Sequence, residues 1–229
     1  MNIVMAAYGF PRGALNKFMK WNEDAFSKNN VTVWVGYHEE FEDPEFPNMK
    51  VLKYPHEEPI FSIGRTVNYV MRRVDCSDNE IIIKTDPDIV FSDLVLKHIA
   101  DRVKMNKGMV CICANIDEMH LATAPKWSSM TKRMTGKGAC FVMTKADWFS
   151  MHGYDERIEG WGGDDDEMFY RASQRISMSE DASSPLFHVN HPQRKNVQAN
   201  FPRRSPINRT MIKSNNWSSE RWGQPDDTK

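Results

Sequence analysis

The stretch that decides the fold is Glu80-Ile81-Ile82-Ile83-Lys84-Thr85-Asp86-Pro87-Asp88-Ile89-Val90-Phe91. Its three consecutive isoleucines predict a strand that is buried on both faces, as in a parallel sheet covered by helices. Pro87 removes a backbone donor and ends the strand between two carboxylates. Open α/β sheets bind ligands at the carboxyl ends of their strands, and carboxylates suit a divalent cation such as Mg²⁺ or Mn²⁺. A polar turn that leads into a helix explains the same residues without a metal, so both interpretations stay open here.

The composition is that of a globular domain. The 229 residues include 30 Lys and Arg against 31 Asp and Glu, a net charge of -1, so we expect no general attraction to nucleic acid or membranes. The four cysteines contain no C-x-x-C pair, which favours buried thiols in a reducing compartment. We see no signal peptide and no apolar run of membrane-spanning length, so we expect a cytoplasmic protein without a transmembrane segment.

Strands and helices alternate through the first half of the chain. β-Branched and apolar runs indicate strands at residues 2–7, 31–37 and 49–54, before the isoleucine strand. Helical spacing of apolar residues indicates helices over 12–27, after a Ser62 cap and after a Ser92-Asp93 cap. The pattern predicts an α/β fold of the Rossmann-like type, with a central, mostly parallel sheet.

The second half is less regular. Apolar runs at 109–114 and 139–143 predict two more strands, separated by a polar loop over 115–138. Thr144 is expected to cap a short helix, and another helix is expected to begin at the acidic residues near 164. The ordered part is expected to close with the stretch 186–192.

That acidic run, Asp164-Asp165-Asp166-Glu167, has two interpretations. Acidic residues favour a helix N-terminus because of the helix dipole and the free N–H groups. Four consecutive acids exceed what a cap needs, however, and they repel one another. The preceding Trp161-Gly162-Gly163 combines a hinge with an aromatic ring. The combination favours a closing loop that brings a stacking surface and a carboxylate base to a polyhydroxyl acceptor.

Two histidines near the end of the ordered part also have two interpretations. His188 and His191 are three residues apart and follow an apolar run. They are either hydrogen-bonded histidines near a strand end or a source of an imidazole for a metal at Asp88.

Three features in this order resemble the glycosyltransferases of the GT-A fold. The first is Asp86-Pro87-Asp88 after an apolar strand. The second is Gly153-Tyr154-Asp155-Glu156 with Gly160-Trp161-Gly162-Gly163-Asp164-Asp165-Asp166-Glu167 and Arg171. The third is His188-Val189-Asn190-His191-Pro192. The likeness is to the animal β-galactosyltransferases and the bacterial chondroitin-polymerising transferases.

The resemblance covers roughly residues 2–192 and implies a GT-A catalytic domain over 1–192. A nucleotide-sugar-binding half would span 1–91, with a helix start at 63–68 that resembles family 2 transferases, and an acceptor-binding half would span 92–192. The implied reaction moves a sugar from a nucleotide-sugar, a UDP-sugar, to an acceptor hydroxyl with Mn²⁺ (or Mg²⁺) as cofactor. The implied partners are that donor and a glycan or other hydroxyl acceptor, nucleic acid included.

The resemblance also implies roles for individual residues. Asp88 would bind the metal directly, Asp86 would contact the ribose or a metal-bound water, and His188 or His191 would be a further metal ligand. The implied donor-binding residues are Ala7, Tyr8, Arg65, Asp86, Pro87 and Asp88. The implied acceptor-binding residues are Trp161, Gly162, Gly163, Asp164 and Asp166. Asp165 would be the general base that takes the acceptor proton, a geometry that inverts the anomeric centre.

The sequence also departs from these families. Asp164 stands where the family has Glu, which shortens the reach of that carboxylate. Retaining N-acetylgalactosaminyltransferases share a similar glycine-tryptophan block but have Asn where Asp165 stands, so a retaining mechanism stays open. We see neither the membrane anchor nor the disulfide pattern of the animal enzymes in this sequence, and we therefore expect a bacterial, phage or viral protein.

The C-terminal segment 193–229 is basic and polar, and we expect it to be partly ordered or to form a lid. Between Arg194 and Arg221 it has seven basic residues and one acid. It is either a solvated tail, in which Trp217 and Trp222 could pack on the domain, or a surface that steers an anionic acceptor.

Other classes of protein compete with a glycosyltransferase. A sugar-phosphate nucleotidyltransferase shares the Rossmann-like half and paired acids, but the stretch 6–12 is a poor version of its glycine-rich loop. A non-catalytic nucleotide-sugar or glycan-binding protein would bind donor without turnover. A glycosidase leaves the metal-type D-x-D unexplained.

Overall fold

The computed structural model describes residues 1–7, 12–37, 46–55, 61–105, 107–116, 121, 140–160, 162–190 and 222. The strands in this part of the chain are β1 (Asn2–Ala6), β2 (Thr32–Tyr37), β3 (Met49–Lys53), β4 (Ile81–Thr85), β5 (Ile89–Val90), β6 (Lys107–Ile116), β7 (Cys140–Thr144) and β8 (Ser177–Val189). The helices are α1 (Arg12–Lys28), α2 (Ile63–Met71), α3 (Asp93–Lys104), α4 (Lys145–Ser150) and α5 (Asp164–Arg175).

All eight strands form one sheet in the order β3-β2-β1-β4-β7-β6-β8-β5. The pairs from β3 to β4 are parallel, and so is the β6–β8 pair. Strand β7 runs antiparallel to β4 and β6, and β5 runs antiparallel to β8. The predicted α/β fold with a mostly parallel central sheet is therefore confirmed.

Strand β4 lies near the middle of this sheet, between β1 and β7. Ile82 and Ile83 are both fully buried and face opposite sides, because successive side chains of a strand alternate. Ile83 packs in a core that also contains Leu15 and Ile99 of α1 and α3, whereas Ile82 packs with Val67 of α2. The predicted burial of this strand on both faces is confirmed, and each isoleucine contributes about 1.5–3 kcal/mol of burial free energy.

The predicted helix caps are present. The side chain of Ser62 accepts a hydrogen bond from the Arg65 backbone N–H, and Ser92 caps α3 in the same way. Thr144 forms a reciprocal capping box with Asp147 at the start of α4. Helix α5 does begin at the acidic run, but its N-cap is Gly163, without a side-chain hydrogen bond.

Strand β8 is longer than the sequence predicts. It begins at Ser177, although the apolar run begins only at Leu186. Its polar first half pairs in parallel with β6, so non-local backbone pairing overrides a weak local preference for strand. The extended β8 carries His188 to the end of the sheet where β5 lies.

The four cysteines are free thiols, and Cys111, Cys113 and Cys140 are buried, as expected. No helix in the described ranges has both the length and the apolar character needed to cross a bilayer. Most of the predicted loop over 115–138 and nearly all of the tail over 193–229 lie outside the described residues. Within the tail, Trp222 is described and is 2% exposed.

Candidate active site

The turn after β4 brings a carboxylate and an imidazole together. Asp88 is 8% exposed, and its carbonyl oxygen accepts a 2.8 Å hydrogen bond from the Val189 backbone N–H. This pairing of the β4–β5 turn with β8 places His188 Nε2 3.4 Å from Asp88 Oδ2. The fold thus places Asp88 beside His188, and binding of a metal by this pair remains a prediction.

The donor atoms of Asp88 and His188 fit one small divalent cation. Two adjacent ligands of an octahedral ion with bonds of about 2.1 Å lie about 3 Å apart, close to the observed 3.4 Å. Carboxylate and imidazole together are a donor set that Mn²⁺ accepts. No cluster of three such ligands occurs within the described ranges. His191, the other expected imidazole, lies outside those ranges.

A buried asparagine on α1 fixes the segment that follows Asp88. The Asn22 amide donates to the Ile89 carbonyl oxygen at 3.0 Å, and its Oδ1 accepts from the Phe91 N–H at 2.7 Å. Asn22 is fully buried, so both bonds are shielded from water. The position of the D-x-D turn is therefore set by packing against α1 as well as by pairing with β8.

Two glycines place the acidic run at the start of α5. Gly162 and Gly163 have φ angles of +99° and +104°, where a side chain causes strain. The turn they form is followed by Asp164, which is 6% exposed, and Asp165, whose side chain is 25% exposed. The hinge role of these glycines remains a prediction, but their conformation explains why glycine is needed there.

Lys84 joins the two acidic segments. It lies in β4, its side chain is 2% exposed, and Nζ lies 3.3 Å from both Asp86 Oδ1 and Asp165 Oδ1. The Tyr154 hydroxyl donates a 2.9 Å hydrogen bond to the same oxygen of Asp165. The D-x-D turn and the start of α5, far apart in sequence, therefore meet at one ammonium group.

The charges in this network perturb one another. Burial raises the pKa of Asp86 to about 6, with Asp88 and Asp165 adding to the rise and Lys84 opposing it. Burial and the neighbouring Asp165 raise the pKa of Asp164 to about 7. Burial alone would lower the pKa of Lys84, but Asp165 and Asp86 outweigh it and hold that pKa well above its ordinary value. The site thus combines the cation of Lys84 with two carboxyl groups, Asp86 and Asp164, whose pKa values are raised.

The Gly-Tyr-Asp-Glu segment is held in place from α2. The Asn68 amide donates to the Tyr154 carbonyl oxygen at 2.9 Å and accepts from the Tyr154 N–H at 2.8 Å. It also donates to Glu156 Oε1 at 2.8 Å. Asn68 is fully buried and leaves no room for a side chain at Gly153, which has a φ angle of +62°. These contacts fix the ring that carries the Tyr154 hydroxyl.

The arginine of the motif has a structural role. Arg171 forms a buried ion pair with Glu167 within α5. Its guanidinium also donates to the carbonyl oxygens of Met151 and Gly153, at 2.5 and 2.7 Å. It therefore locks the first turns of α5, which contain Asp165, to the loop that contains Tyr154.

The remaining predicted site residues divide into two groups. Ala7 is buried after β1, and Arg65 on α2 donates to the Glu156 carbonyl oxygen at 2.7 Å. Asp166 is exposed on α5. Tyr8, Trp161 and His191 lie outside the described residues. Contact of any of them with a donor or an acceptor remains a prediction.

Three site-forming residues were not assigned roles from the sequence: Lys84, Asn22 and Asn68. Lys84 interrupts an otherwise apolar strand, and a lysine in a strand buried on both faces requires a charged partner. This conflict between a charged side chain and its apolar strand could have identified Lys84 from the sequence. The two asparagines occupy apolar faces of helices, and nothing local indicates which backbone groups they contact.

Comparisons with known proteins agree with this architecture. A family model described as the N-terminal domain of galactosyltransferase matches residues 118–192, 75 of the 229 residues. Drosophila β-1,4-galactosyltransferase 7, solved with manganese, UDP-Gal and xylobiose, is 12% identical with a TM-score of 0.56, and the match covers 95% of this chain and 81% of that one. No curated protein matches in a sequence search.

Two further solved structures share the fold. TarS of S. aureus, in complex with UDP-GlcNAc, is 11% identical with a TM-score of 0.54, covering 84% of this chain. The chain spans only 59% of the length of that TarS structure. The 2-C-methyl-D-erythritol 4-phosphate cytidylyltransferase of Thermus thermophilus is 16% identical with a TM-score of 0.51, covering 90% of this chain and 98% of that one.

The structural likenesses define the GT-A fold of the nucleotide-sugar transferases. They confirm the fold predicted from the sequence, and the family match adds a similarity to galactosyltransferases over residues 118–192, one third of the chain. At these identities the fold is shared, while donor, acceptor and mechanism are separate questions.

Proposed function

We propose that this protein transfers a sugar from a UDP-sugar to an acceptor hydroxyl, with inversion and with a divalent metal. The observation that carries the proposal is the meeting of Asp86 and Asp165 at Lys84 Nζ, 3.3 Å from each. A donor-side carboxylate of the D-x-D turn and a partly exposed carboxylate at a helix start thereby lie close together. Glycosyl transfer requires one group that serves the donor and another that serves the acceptor, and these two carboxylates can divide those roles.

On the donor side, Asp88 and His188 would hold Mn²⁺ (or Mg²⁺), with Asp86 beside them. The bound metal offsets the charge of the departing nucleoside diphosphate. Ala7, Tyr8, Pro87 and Arg65 would contact the nucleotide. Arg65 lies at the first turn of α2, where the Glu156 carbonyl oxygen and Glu159 orient its guanidinium.

On the acceptor side, Asp165 is the general base. Its carboxylate is 25% exposed, so an acceptor hydroxyl can reach it, while Tyr154 and Lys84 hold its Oδ1. Asp164 Oδ2 is buried and has no hydrogen-bond partner among the described residues. A buried unpartnered carboxyl is costly, and its pKa of about 7 leaves a proton available for a hydrogen bond to the acceptor. Trp161, Gly162, Gly163 and Asp166 would complete the acceptor contacts.

The chemical step balances on these residues. The acceptor oxygen forms a bond to the anomeric carbon while the bond from that carbon to the donor phosphate oxygen breaks. The electron pair leaves with the nucleoside diphosphate, and the acceptor proton moves to Asp165. In this proposal the base and the diphosphate lie on opposite faces of the sugar, so attack occurs opposite to the leaving group and inverts the anomeric centre.

A nucleotidyltransferase is the second candidate, because a cytidylyltransferase shares the fold over nearly its whole length. The two activities release different products. A glycosyltransferase releases a nucleoside diphosphate from a nucleotide-sugar, whereas a nucleotidyltransferase releases pyrophosphate from a nucleoside triphosphate. The galactosyltransferase family match over residues 118–192 favours the first.

The experiment is a screen of nucleotide-sugars and nucleoside triphosphates, with and without Mn²⁺, that measures ligand-induced thermal stabilisation and product release. We expect stabilisation by a UDP-sugar that requires both metal and Asp88, and that is lost in Asp88→Ala. Asp165→Asn should keep donor binding and lose at least about 100-fold in transfer rate. The exposed Asp101→Asn is the matched control for a lost carboxylate. Pyrophosphate release, or no nucleotide binding under any metal, would contradict the proposal.

A further inference from the structure

Lys84 is a buried cation at an unusual place in the sheet. It lies in β4 between β1 and β7, opposite Val4 and Phe141, and is 1% exposed. Its strand neighbours on the same face belong to the apolar core formed with Phe141 and Trp148. Nζ nevertheless emerges beside two carboxylates, Asp86 Oδ1 and Asp165 Oδ1, at 3.3 Å each.

Stability alone does not account for a lysine at this position. Removing an ammonium group from water costs several kcal/mol, and replacing buried ion pairs by apolar residues of similar size is often neutral or stabilising. Its partners in the neighbouring strands, Val4 and Phe141, belong to an apolar core, so a methionine side chain would suit this position. A charge kept there under these conditions indicates a functional use.

The two partners of Lys84 belong to different halves of the proposed reaction. Asp86 lies on the donor side, next to the pair formed by Asp88 and His188. Asp165 lies on the acceptor side, at the first turn of α5. The distance of Lys84 Nζ from both is the same, so the ammonium is shared rather than paired with one.

We propose that Lys84 is a positioning residue that orients Asp165 toward the acceptor and competes electrostatically with the divalent cation at the D-x-D turn. The first role follows from its contact with Asp165 Oδ1, because this contact and the hydrogen bond from the Tyr154 hydroxyl together fix the orientation of the carboxylate. The second follows from Coulomb repulsion between the ammonium and a metal ion bound beside Asp86. The positioning role rests on the proposed function, whereas the competition for metal does not.

The test uses Lys84→Met, which keeps the stem, and Lys84→Arg, which keeps the charge. The first measurement is the affinity of the protein for Mn²⁺ without nucleotide, at mildly alkaline pH. The EPR signal of free Mn²⁺ reports how much of the metal is bound. We expect Lys84→Met to bind Mn²⁺ at least about threefold more tightly, because a fixed positive charge has been removed nearby. Lys84→Arg should stay near wild type.

The second measurement is steady-state transfer, with the donor found in the screen. Lys84→Met should lower kcat by about 10- to 100-fold, the usual effect of removing a group that orients another, with little change in the donor KM. Lys84→Arg should recover part of kcat. Lys145→Met is the matched control, because Lys145 is a partly buried lysine whose Nζ donates to the backbone oxygens of Val74 and Cys76 and lies 5.6 Å from the Phe149 ring centre, away from the proposed site.

The outcomes separate cleanly. Unchanged Mn²⁺ affinity in Lys84→Met overturns the competition, and an unchanged kcat overturns the positioning role. If Lys145→Met changes Mn²⁺ affinity and kcat as much as Lys84→Met does, both effects come from loss of folded protein. That result would overturn the inference. Absence of transfer by the wild type would contradict the proposed function instead, and the Mn²⁺ titrations would still decide the competition.

Discussion

The Tyr154 hydroxyl donates a 2.9 Å hydrogen bond to Asp165 Oδ1, although the tyrosine is fully buried and the side chain of Asp165 is 25% exposed. The ring packs against Trp148 with centroids 5.5 Å apart, and Asn68 fixes the backbone at Tyr154. The core therefore positions the proposed general base through this hydroxyl group as well as through Lys84. Burial also raises the pKa of Tyr154 well above its ordinary value, reinforced by Asp165, so this hydroxyl remains a donor.

We expect Tyr154→Phe to lower kcat about tenfold while changing the free energy of unfolding by less than about 1.5 kcal/mol. The ring and its packing stay, and only the hydroxyl that orients Asp165 is lost. Steady-state kinetics and urea denaturation measure the two effects. Tyr170→Phe is the control, because Tyr170 lies on the same helix as Asp165 but is 47% exposed. Equal kinetics for both variants would show that the hydrogen bond has no role in turnover.

The left-handed backbone conformation of Gly163 leads to a second prediction, which concerns the start of α5. Alanine at its φ angle of +104° should cost about 1–3 kcal/mol of stability and should displace Asp164 and Asp165. Gly13 provides the opposite case, since it is the second residue of α1 and a methyl group there meets nothing within 4 Å. Gly13→Ala should stabilise the protein by about 0.5–1 kcal/mol and keep full activity.

The comparison of the two alanine variants needs both thermal denaturation and transfer assays. Gly163→Ala should lose more activity than its loss of stability explains, because its effect falls on the catalytic turn. A Gly163→Ala variant with full activity would mean that the positive φ angle has no functional importance.

Asp164 makes the stability of the protein depend on pH. Its pKa is raised from 3.8 to about 7 by burial first and by Asp165 second, so the folded chain holds this proton more tightly than the unfolded chain. Its stabilising contribution is therefore complete below the unfolded pKa of 3.8 and is lost as the pH rises through about 7.

Asp164→Asn should remove this dependence, because the amide stays neutral. We expect the variant to be more stable than wild type by on the order of 1–3 kcal/mol above neutral pH and nearly equal to it at about pH 4. Urea denaturation across that pH range measures the difference. The exposed Asp101→Asn should follow the wild-type profile. A constant difference at every pH would contradict the assigned cause.

Much of this fold was accessible from the sequence because its signals are local. The isoleucine run of β4, the caps at Ser62, Ser92 and Thr144, and the helix that begins at the acidic run all depend on neighbouring residues, and all are present. The proximity of Asp88 and His188 was inferred from a family resemblance, and pairing of β5 with β8 produces it.

The parts that were missed depend on long-range contacts. The polar first half of β8 is a strand only because β6 pairs with it. Asn22 contacts a turn 67 residues away, and Lys84 contacts Asp165 81 residues away. Such partners cannot be found from local spacing, since they are brought together by the order of strands in the sheet. The position of Lys84 within an apolar strand indicates a buried charge from the sequence alone. It does not indicate which carboxylates compensate that charge.

One residue of the C-terminal segment belongs to the core of the domain. Trp222 is 2% exposed, its ring meets Phe149 edge-on with centroids 4.9 Å apart, and the Arg72 guanidinium lies 4.7 Å from its ring centre. We expect Trp222→Ala to destabilise the fold by about 3–5 kcal/mol, because a large aromatic is removed from a buried site. Thermal denaturation measures this, and Trp222→Phe should recover part of the loss. An unchanged melting temperature in Trp222→Ala would contradict the packing.

The buried Trp222 also decides how the steering role of the basic tail should be tested. Deleting residues 200–229 would remove Trp222 and confound binding with unfolding, so the charges should be removed instead.

Replacing Arg203, Arg204 and Arg209 by Gln lowers the tail charge by three and leaves the tryptophan in place. If the tail steers an anionic acceptor, this variant should show a lower association rate for the acceptor and a weaker dependence of that rate on salt, with unchanged donor affinity. Stopped-flow association at several salt concentrations measures both. Neutralising exposed Lys17 and Lys20 on α1 is the control for a general loss of positive charge. An acceptor association rate equal to wild type at low salt would mean that the tail charges do not guide the acceptor.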